Sequence, residues 1–294
     1  MNPFGKSTQP TSYSTNMFGS YGNNQYVSGT KDFLNSNSIV AKIAFMVLVI
    51  LGFVIVLRLG TNFISWYYMP SNDPYLIKGM KDARRMSVIK QDPKQKHSIP
   101  VIRSRNKSQG LEFTYSVWIL IDNLKYMQGQ YRHIFHKGND DIIFDHNKNT
   151  GLNFPNNAPG LYISPNKNSL VVIMNTFKNI NEKIEIDDIP LNKWINVVIR
   201  VEGRNVDVYV NGSIKVRHKL SDVPKQNYGD VFVNMNGGYS GYLSDLHYYS
   251  NGLSVGEILK IANKGPSLKM KEENTGLKSV PPYFSLKWYF SKAN

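Results

Sequence analysis

Three rhythms of apolar and polar positions follow one another along the 294 residues. Residues 1–38 have none. They are mainly Ser, Asn, Thr, Gly, Gln and Tyr with three charged side chains, too little apolar surface to offset the entropy of ordering, so this polar tail is expected to be disordered on its own. Residues 39–59, IVAKIAFMVLVILGFVIVLRL, are almost unbroken, with eighteen of 21 positions apolar. As a helix they span about 31 Å, against a hydrocarbon thickness of about 30 Å. Lys42 and Arg58 lie where long side chains snorkel to headgroups, and Trp66, Tyr67 and Tyr68 follow as an interfacial belt. The run begins too far in and lacks the small-residue cleavage site of a signal peptide. A single transmembrane helix is predicted.

From Leu111 the period becomes two. Short β-rich runs separated by Gly, Asn and Pro read LEFTYSVWILI, YRHIFHKG, GLYISP, SLVVIMNTF, WINVVIRVEG, NVDVYVNGSIKVRHKL, YGDVFVNMNGG and GYLSDLHYYS. Val206, Val208 and Val210 alternate with Asp207 and Tyr209, and Asn211-Gly212 supplies the positive φ angles of a type I′ hairpin turn. Eight or more strands at this spacing predict an all-β antiparallel sandwich over residues 108–265, followed by a short helix or turn at 253–262. In the C-terminal tail, 266–294, residues 283–290 behind Pro281-Pro282 suggest a closing strand. Between anchor and sandwich, residues 60–107 hold four prolines and ten Lys/Arg and read as a basic tether. Within it Leu76, Met80 and Ala83 fall at helical spacing, suggesting a short amphipathic turn near 75–89.

The order FTYSVWIL, IFHKG, GLYIS, IPLNKWINVVIRVEGRNVDVYVNGS and GGYSGYLSDLHYYSNGLSVGEI resembles the laminin-G-like, concanavalin A-like jelly-roll superfamily. The stretch 191–212, with its LNKW and YVNG ends, carries most of the likeness, and Gly241 to Tyr249 follows at the expected distance. The resemblance covers residues 108–262 and implies a jelly-roll sandwich. It leaves function open, because the fold serves lectins, glycanases and adhesion modules alike.

Charge refines this layout. Of the formal net charge of +14, residues 60–107 hold +7 and residues 108–265 only +1. The basic stretch 78–107 is therefore expected to meet anionic lipid headgroups. Nothing in it resembles a helix-turn-helix, a zinc finger or an aromatic nucleic-acid platform, so no specific nucleic acid is expected. Within about 20 residues of the span Lys31 and Lys42 face Arg58 and Lys78, and only a wider window places the C-terminal side in the cytoplasm. Cysteine is absent, which excludes disulfides, thiolate metal sites and a cysteine nucleophile. Sequons at Asn106 and Asn211 would matter only on a luminal domain.

Candidate chemistry is sparse. Glycanases of the superfamily carry alternate carboxylates on one strand. Here Glu185, Asp187 and Asp188 begin such a pattern, but Pro190 stands where the second glutamate belongs. The segment reads as a solvated strand end and no catalysis is expected. Asp145, Asn147 and Asn149 have oxygen-donor spacing suited to calcium, without the Glu that would complete an EF-hand loop; an Asn-rich turn is the alternative. His133 and His136, three apart on a strand, should point to opposite faces and not chelate together. Tyr228, Asn236, Tyr239 and Tyr242 around Gly237-Gly238 are a candidate glycan rim, against local packing of the same residues; Trp118 and Trp194 belong to the core. The anchor and the Asn- and Lys-rich composition resemble membrane proteins of large DNA viruses with an internal membrane. That implies a non-enzymatic minor capsid protein joining membrane to shell, with lipid and capsid proteins as partners. A cell-surface lectin is the alternative.

Overall fold

The computed structural model describes residues 38–104, 110–143 and 150–270, in two units divided between Met69 and Pro70. The first holds one helix, α1 (Ile39–Tyr68). Its stretch Ile39–Tyr67 is long and apolar enough to cross a membrane, and its large apolar side chains, including Ile43, Leu48, Phe53 and Val56, are exposed, with Ala41 buried. The helix runs nine residues past the apolar stretch 39–59, through Trp66 and Tyr67, so residues 60–68 are not tether. It stops where Pro70 forces the preceding residue out of the α region: Met69 has φ −64° and ψ 125°.

The second unit is a two-sheet antiparallel sandwich, as the sequence predicts. Its strands are β1 (Tyr75–Asp82), β2 (Ser87–Ile89), β3 (Glu112–Asn123), β4 (Arg132–Gly138), β5 (Gly160–Ile163), β6 (Ser169–Met174), β7 (Glu182–Asp187), β8 (Trp194–Glu202), β9 (Asn205–Val210), β10 (Ser213–Lys219), β11 (Asp230–Val233) and β12 (Ser240–Tyr249). One sheet has the order β1-β12-β3-β8-β9-β10 and the other β2-β11-β4-β5-β6-β7. Alternation sets the faces. Phe113, Tyr115, Val117, Ile119 and Ile121 of β3, Val206, Val208 and Val210 of β9, and Ile184 and Ile186 of β7 meet in one core between the sheets. The β9–β10 hairpin turns at Asn211-Gly212 with φ of 51° and 79°, as the type I′ turn requires.

Both outer faces are also covered. On the first sheet Val198 and Tyr209 pack under Leu253 and Ile258, the latter from helix α2 (Val255–Lys264), which opens with a Ser254/Glu257 capping box. On the second, Tyr162, Val171 and Ile173 pack under Leu152. The loop carrying Leu152 is fastened by buried asparagines. Asn157 Nδ2 donates to Asn153 O and the Tyr162 hydroxyl donates to Asn157 Oδ1.

The tether is corrected a second time by β1 and β2. Residues 75–89 form neither linker nor amphipathic turn. Leu76 and Ile77 are each 1 % exposed in the core, and β1 pairs along β12 with two register shifts. Those bulges break the period of two, which is why the stretch reads as irregular in sequence. At one of them Gly79, with φ 87°, donates its N–H to Asp245 Oδ1 at 2.8 Å. The expected closing strand at 283–290 and the tail 1–37 lie outside the described residues.

Candidate functional site

At one end of the sandwich the sheets part around a cavity of about 990 Å³. The start of β3 contributes Leu111, Phe113 and Tyr115, the end of β12 Tyr248, and the end of β4 Lys137. The segments around residues 91–103 and 223–230 complete the wall. Its aromatic side is ordered: Phe113 meets Tyr115 edge-on at 5.9 Å and Tyr115 lies 5.0 Å from Tyr248. Burial pushes the Tyr115 phenol well above its ordinary pKa, so it stays neutral. The Tyr248 hydroxyl donates to Ile102 O at 2.7 Å, tying the 91–103 segment down. That segment is held further by Gln91, whose Nε2 donates to Ile89 O and Ile99 O while its Oε1 accepts from the Val101 N–H.

Polar groups converge on this cavity from the other side. The Lys137 ammonium is buried and donates to Gly229 O, and burial lowers its pKa to about 8. Gln226 Oε1 is buried with no hydrogen-bond partner. Asp230 is neutralised, accepting from Lys90 Nζ at 2.8 Å and from the Gln91 N–H. At the mouth Phe177 is 68 % exposed with Lys225 Nζ 5.1 Å above its ring, and Tyr228 is 85 % exposed.

Of the glycan rim expected from sequence, only Tyr228 lines this cavity. It precedes β11, whereas Asn236, Tyr239 and Tyr242 follow it, so the four do not form one rim. Tyr239 is 0 % exposed and its hydroxyl donates to Tyr242 O at 2.8 Å; it is a core residue. Asn236 sits in the turn with Gly237 at φ 52°, and Tyr242 is part exposed on β12. The calcium candidates Asp145, Asn147 and Asn149 lie outside the described residues. Among the described residues no three His, Asp or Glu side chains gather to hold a metal.

The expectation that His133 and His136 point to opposite faces is overturned. A register shift between His133 and Phe135 breaks the alternation and brings the rings together, His133 Nε2 to His136 Nδ1 at 2.6 Å. The Met235 N–H donates to His133 Nδ1, so His133 carries its proton on Nε2 and donates it to His136 Nδ1. His136 Nε2 then donates to Asn139 O at 2.7 Å. Both rings are neutral, and no nitrogen lone pair is left for a metal. Glu185 and Asp187 point outward on the edge strand β7, with Glu185 accepting from Ser169 Oγ and 3.5 Å from Lys167 Nζ. A Ser221–Glu182–His218 cluster is not a nucleophilic triad, because Ser221 Oγ donates to Glu182 Oε2 at 2.6 Å instead of facing the histidine.

On α1, Trp66 and Tyr67 are exposed, Lys42 lies one turn from the start, and Arg58 ten residues from the end. Sequence reasoning missed Lys137 and Gln226. No sequence signal marked Lys137: its strand, RHIFHKG, already mixes Arg and His with Ile and Phe, and the structure buries all seven.

Residues 96–259, more than half of the chain, match a laminin G family model described as the concanavalin A-like lectin/glucanases superfamily. No curated protein matches. Among solved structures, the receptor binding domain of botulinum neurotoxin C/D mosaic serotype is 16 % identical with a TM-score of 0.40, over 52 % of this chain and 36 % of that one. The botulinum neurotoxin serotype D ligand binding domain in complex with N-acetylneuraminic acid is 15 % identical with a TM-score of 0.41, over 64 % and 51 %. The chain thus spans between a third and about half of those structures. With the two-sheet sandwich and the family match together, the chain belongs to the concanavalin A-like lectin/glucanase superfamily.

Proposed function

We propose that this is a non-enzymatic, membrane-anchored binding protein, in which α1 spans a bilayer and the sandwich takes its ligand at the cavity between β3, β4 and β12. The observation that carries the reading is the cavity itself. Its volume of about 990 Å³ reaches the upper end of the range for small-molecule sites, about 300–1,000 Å³, and it joins an aromatic wall to a few convergent polar groups. The full chain in lipid nanodiscs, presented with a glycan array and with β-glucans, tests it. Retention in the membrane after carbonate extraction with no glucan hydrolysis is expected; extraction or hydrolysis overturns the anchor or the non-enzymatic reading.

A carbohydrate stacked on the outward face of Tyr228, outside the cavity, is the second reading. Tyr228→Ala should then lower glycan affinity about two- to tenfold, the usual worth of one aromatic stacking contact, and an unbound array sinks the lectin reading. A link from an internal viral membrane to a capsid shell is the same reading with a protein partner. Crosslinking of assembled particles that returns no capsid neighbour overturns that version, and protease access from one side of the membrane tests the cytoplasmic placement of the sandwich.

A further inference from the structure

We infer that the cavity takes a single acyl chain ending in an anionic group, with the chain against Leu111, Phe113, Tyr115 and Tyr248 and the head beside Lys137. This rests on reading the cavity as the ligand site and names the ligand class.

The polar inventory of the wall carries the inference. Most polar side chains there are spent inside the fold. Gln91 makes its three bonds to Ile89, Ile99 and Val101. Asn227 donates to Lys137 O and accepts from the Gly229 N–H. The Tyr248 hydroxyl holds Ile102 O, and both Asp230 oxygens are engaged. A sugar buried here would find few partners for its ring of hydroxyls, and each unmet hydroxyl would carry its desolvation cost. An acyl chain needs none along its length and gains from every apolar contact.

The charged groups of the wall are three cations and two carboxylates. Lys137, which already donates to Gly229 O, Lys225 and Arg103 line the cavity with Asp92 and Asp230, and Asp230 is matched by Lys90, which leaves a cationic excess. Burial has drawn the Lys137 pKa down to about 8, so near neutral pH it is still mainly the ammonium, and an anion beside it offsets the desolvation it carries.

The test is photolabelling of the full chain in nanodiscs with palmitate bearing a mid-chain diazirine, followed by peptide mapping. A second arm uses a diazirine-labelled single-chain lysophosphatidate, which separates a free fatty acid from a membrane-derived lipid as the source. Adducts on residues 111–115 and around 223–248, competed by unlabelled ligand, are expected in one arm or both. Lys137→Gln should reduce this labelling about tenfold, in line with the loss of a charge-assisted bond. Because Lys137 also holds Gly229, Lys225→Glu serves as the second variant. Its ammonium lies over the half-exposed mouth, and about threefold weaker labelling at an unchanged melting temperature is expected. A neutral palmityl alcohol probe should label several-fold less than the acid. Labelling confined to α1 in both arms, or cavity labelling indifferent to both variants and to the head charge, overturns the inference. Glycan capture that Tyr228→Ala abolishes, without acyl labelling of the cavity, overturns this ligand class and leaves the binding reading standing.

Discussion

Protonation decides whether the chain from Met235 through His133 and His136 to Asn139 holds, since each nitrogen in it has one role. A proton on His133 Nδ1 would expel the Met235 N–H, and one on His136 Nδ1 would face the proton already on His133 Nε2. Burial accordingly lowers both values, His136 to about 4 from an ordinary 6.5, with His133 lowered further by its neighbour's charge. The native state refuses protons that the unfolded chain accepts below 6.5, so stability is complete above that pH and falls as pH drops towards 4. For His136 alone the loss amounts to about 3 kcal/mol. Denaturant midpoints from pH 7 to 4.5 should show this slope, and His136→Phe, which keeps the stack on Phe232, should flatten it. The buried asparagines make a comparable case. Asn157→Ala leaves the Tyr162 hydroxyl proton without its acceptor and the Asn153 carbonyl without its side-chain donor, while the Asn153 N–H still donates to the Tyr162 oxygen, at a cost of about 1–3 kcal/mol by chemical denaturation. The Asn-rich composition thus holds structural residues as well as loop residues.

Among the elements, β1 and β2 lie outside the family match, which begins at residue 96, yet they complete both sheets. A chain begun at residue 96 loses Leu76 and Ile77 from the core and bares β12; it should fail to give a cooperative melt, whereas one begun at Pro70 should melt cooperatively. A joint between the sheets makes a milder prediction. The Glu182 carboxyl on β7 is raised by burial, but bonds from Ser221 and His218 outweigh this and leave it below its ordinary value. Since His218 is on β10, Glu182→Leu should destabilise the sandwich by about 1–3 kcal/mol at pH 7. The β9–β10 hairpin was legible in sequence because its valines alternate cleanly and Asn211-Gly212 permits one turn. Strand β1 was hidden because two bulges and Lys78 and Lys81 interrupt its period, whereas the end of β7 was read as a solvated strand end. Of the rim read around Gly237-Gly238, Tyr228 alone lines the cavity. Lys137 was not legible, because its carbonyl partner lies 92 positions away.

For the molecule as a whole, the charge changes owner once residues 70–107 join the sandwich unit. Among the described residues of the stretch 70–265, 23 Lys/Arg stand against 17 Asp/Glu, net +6, so a basic excess is fixed to folded surfaces. A chain begun at Pro70 should bind phosphatidylserine vesicles at 50 mM salt and release them at 0.5 M, where the screening length falls from above 10 Å to about 4 Å; binding indifferent to salt would sink this. The sheet borders have a further consequence. β10 presents Lys215, Arg217 and Lys219, β7 presents Lys183, Glu185 and Asp187, β2 is three residues long, and β1 is partly met by Lys269, whose carbonyl accepts the Met80 N–H at 2.7 Å. Each border therefore resists templating a strand from a neighbouring molecule. Copies of the sandwich crowded together stand side by side without seeding a fibril.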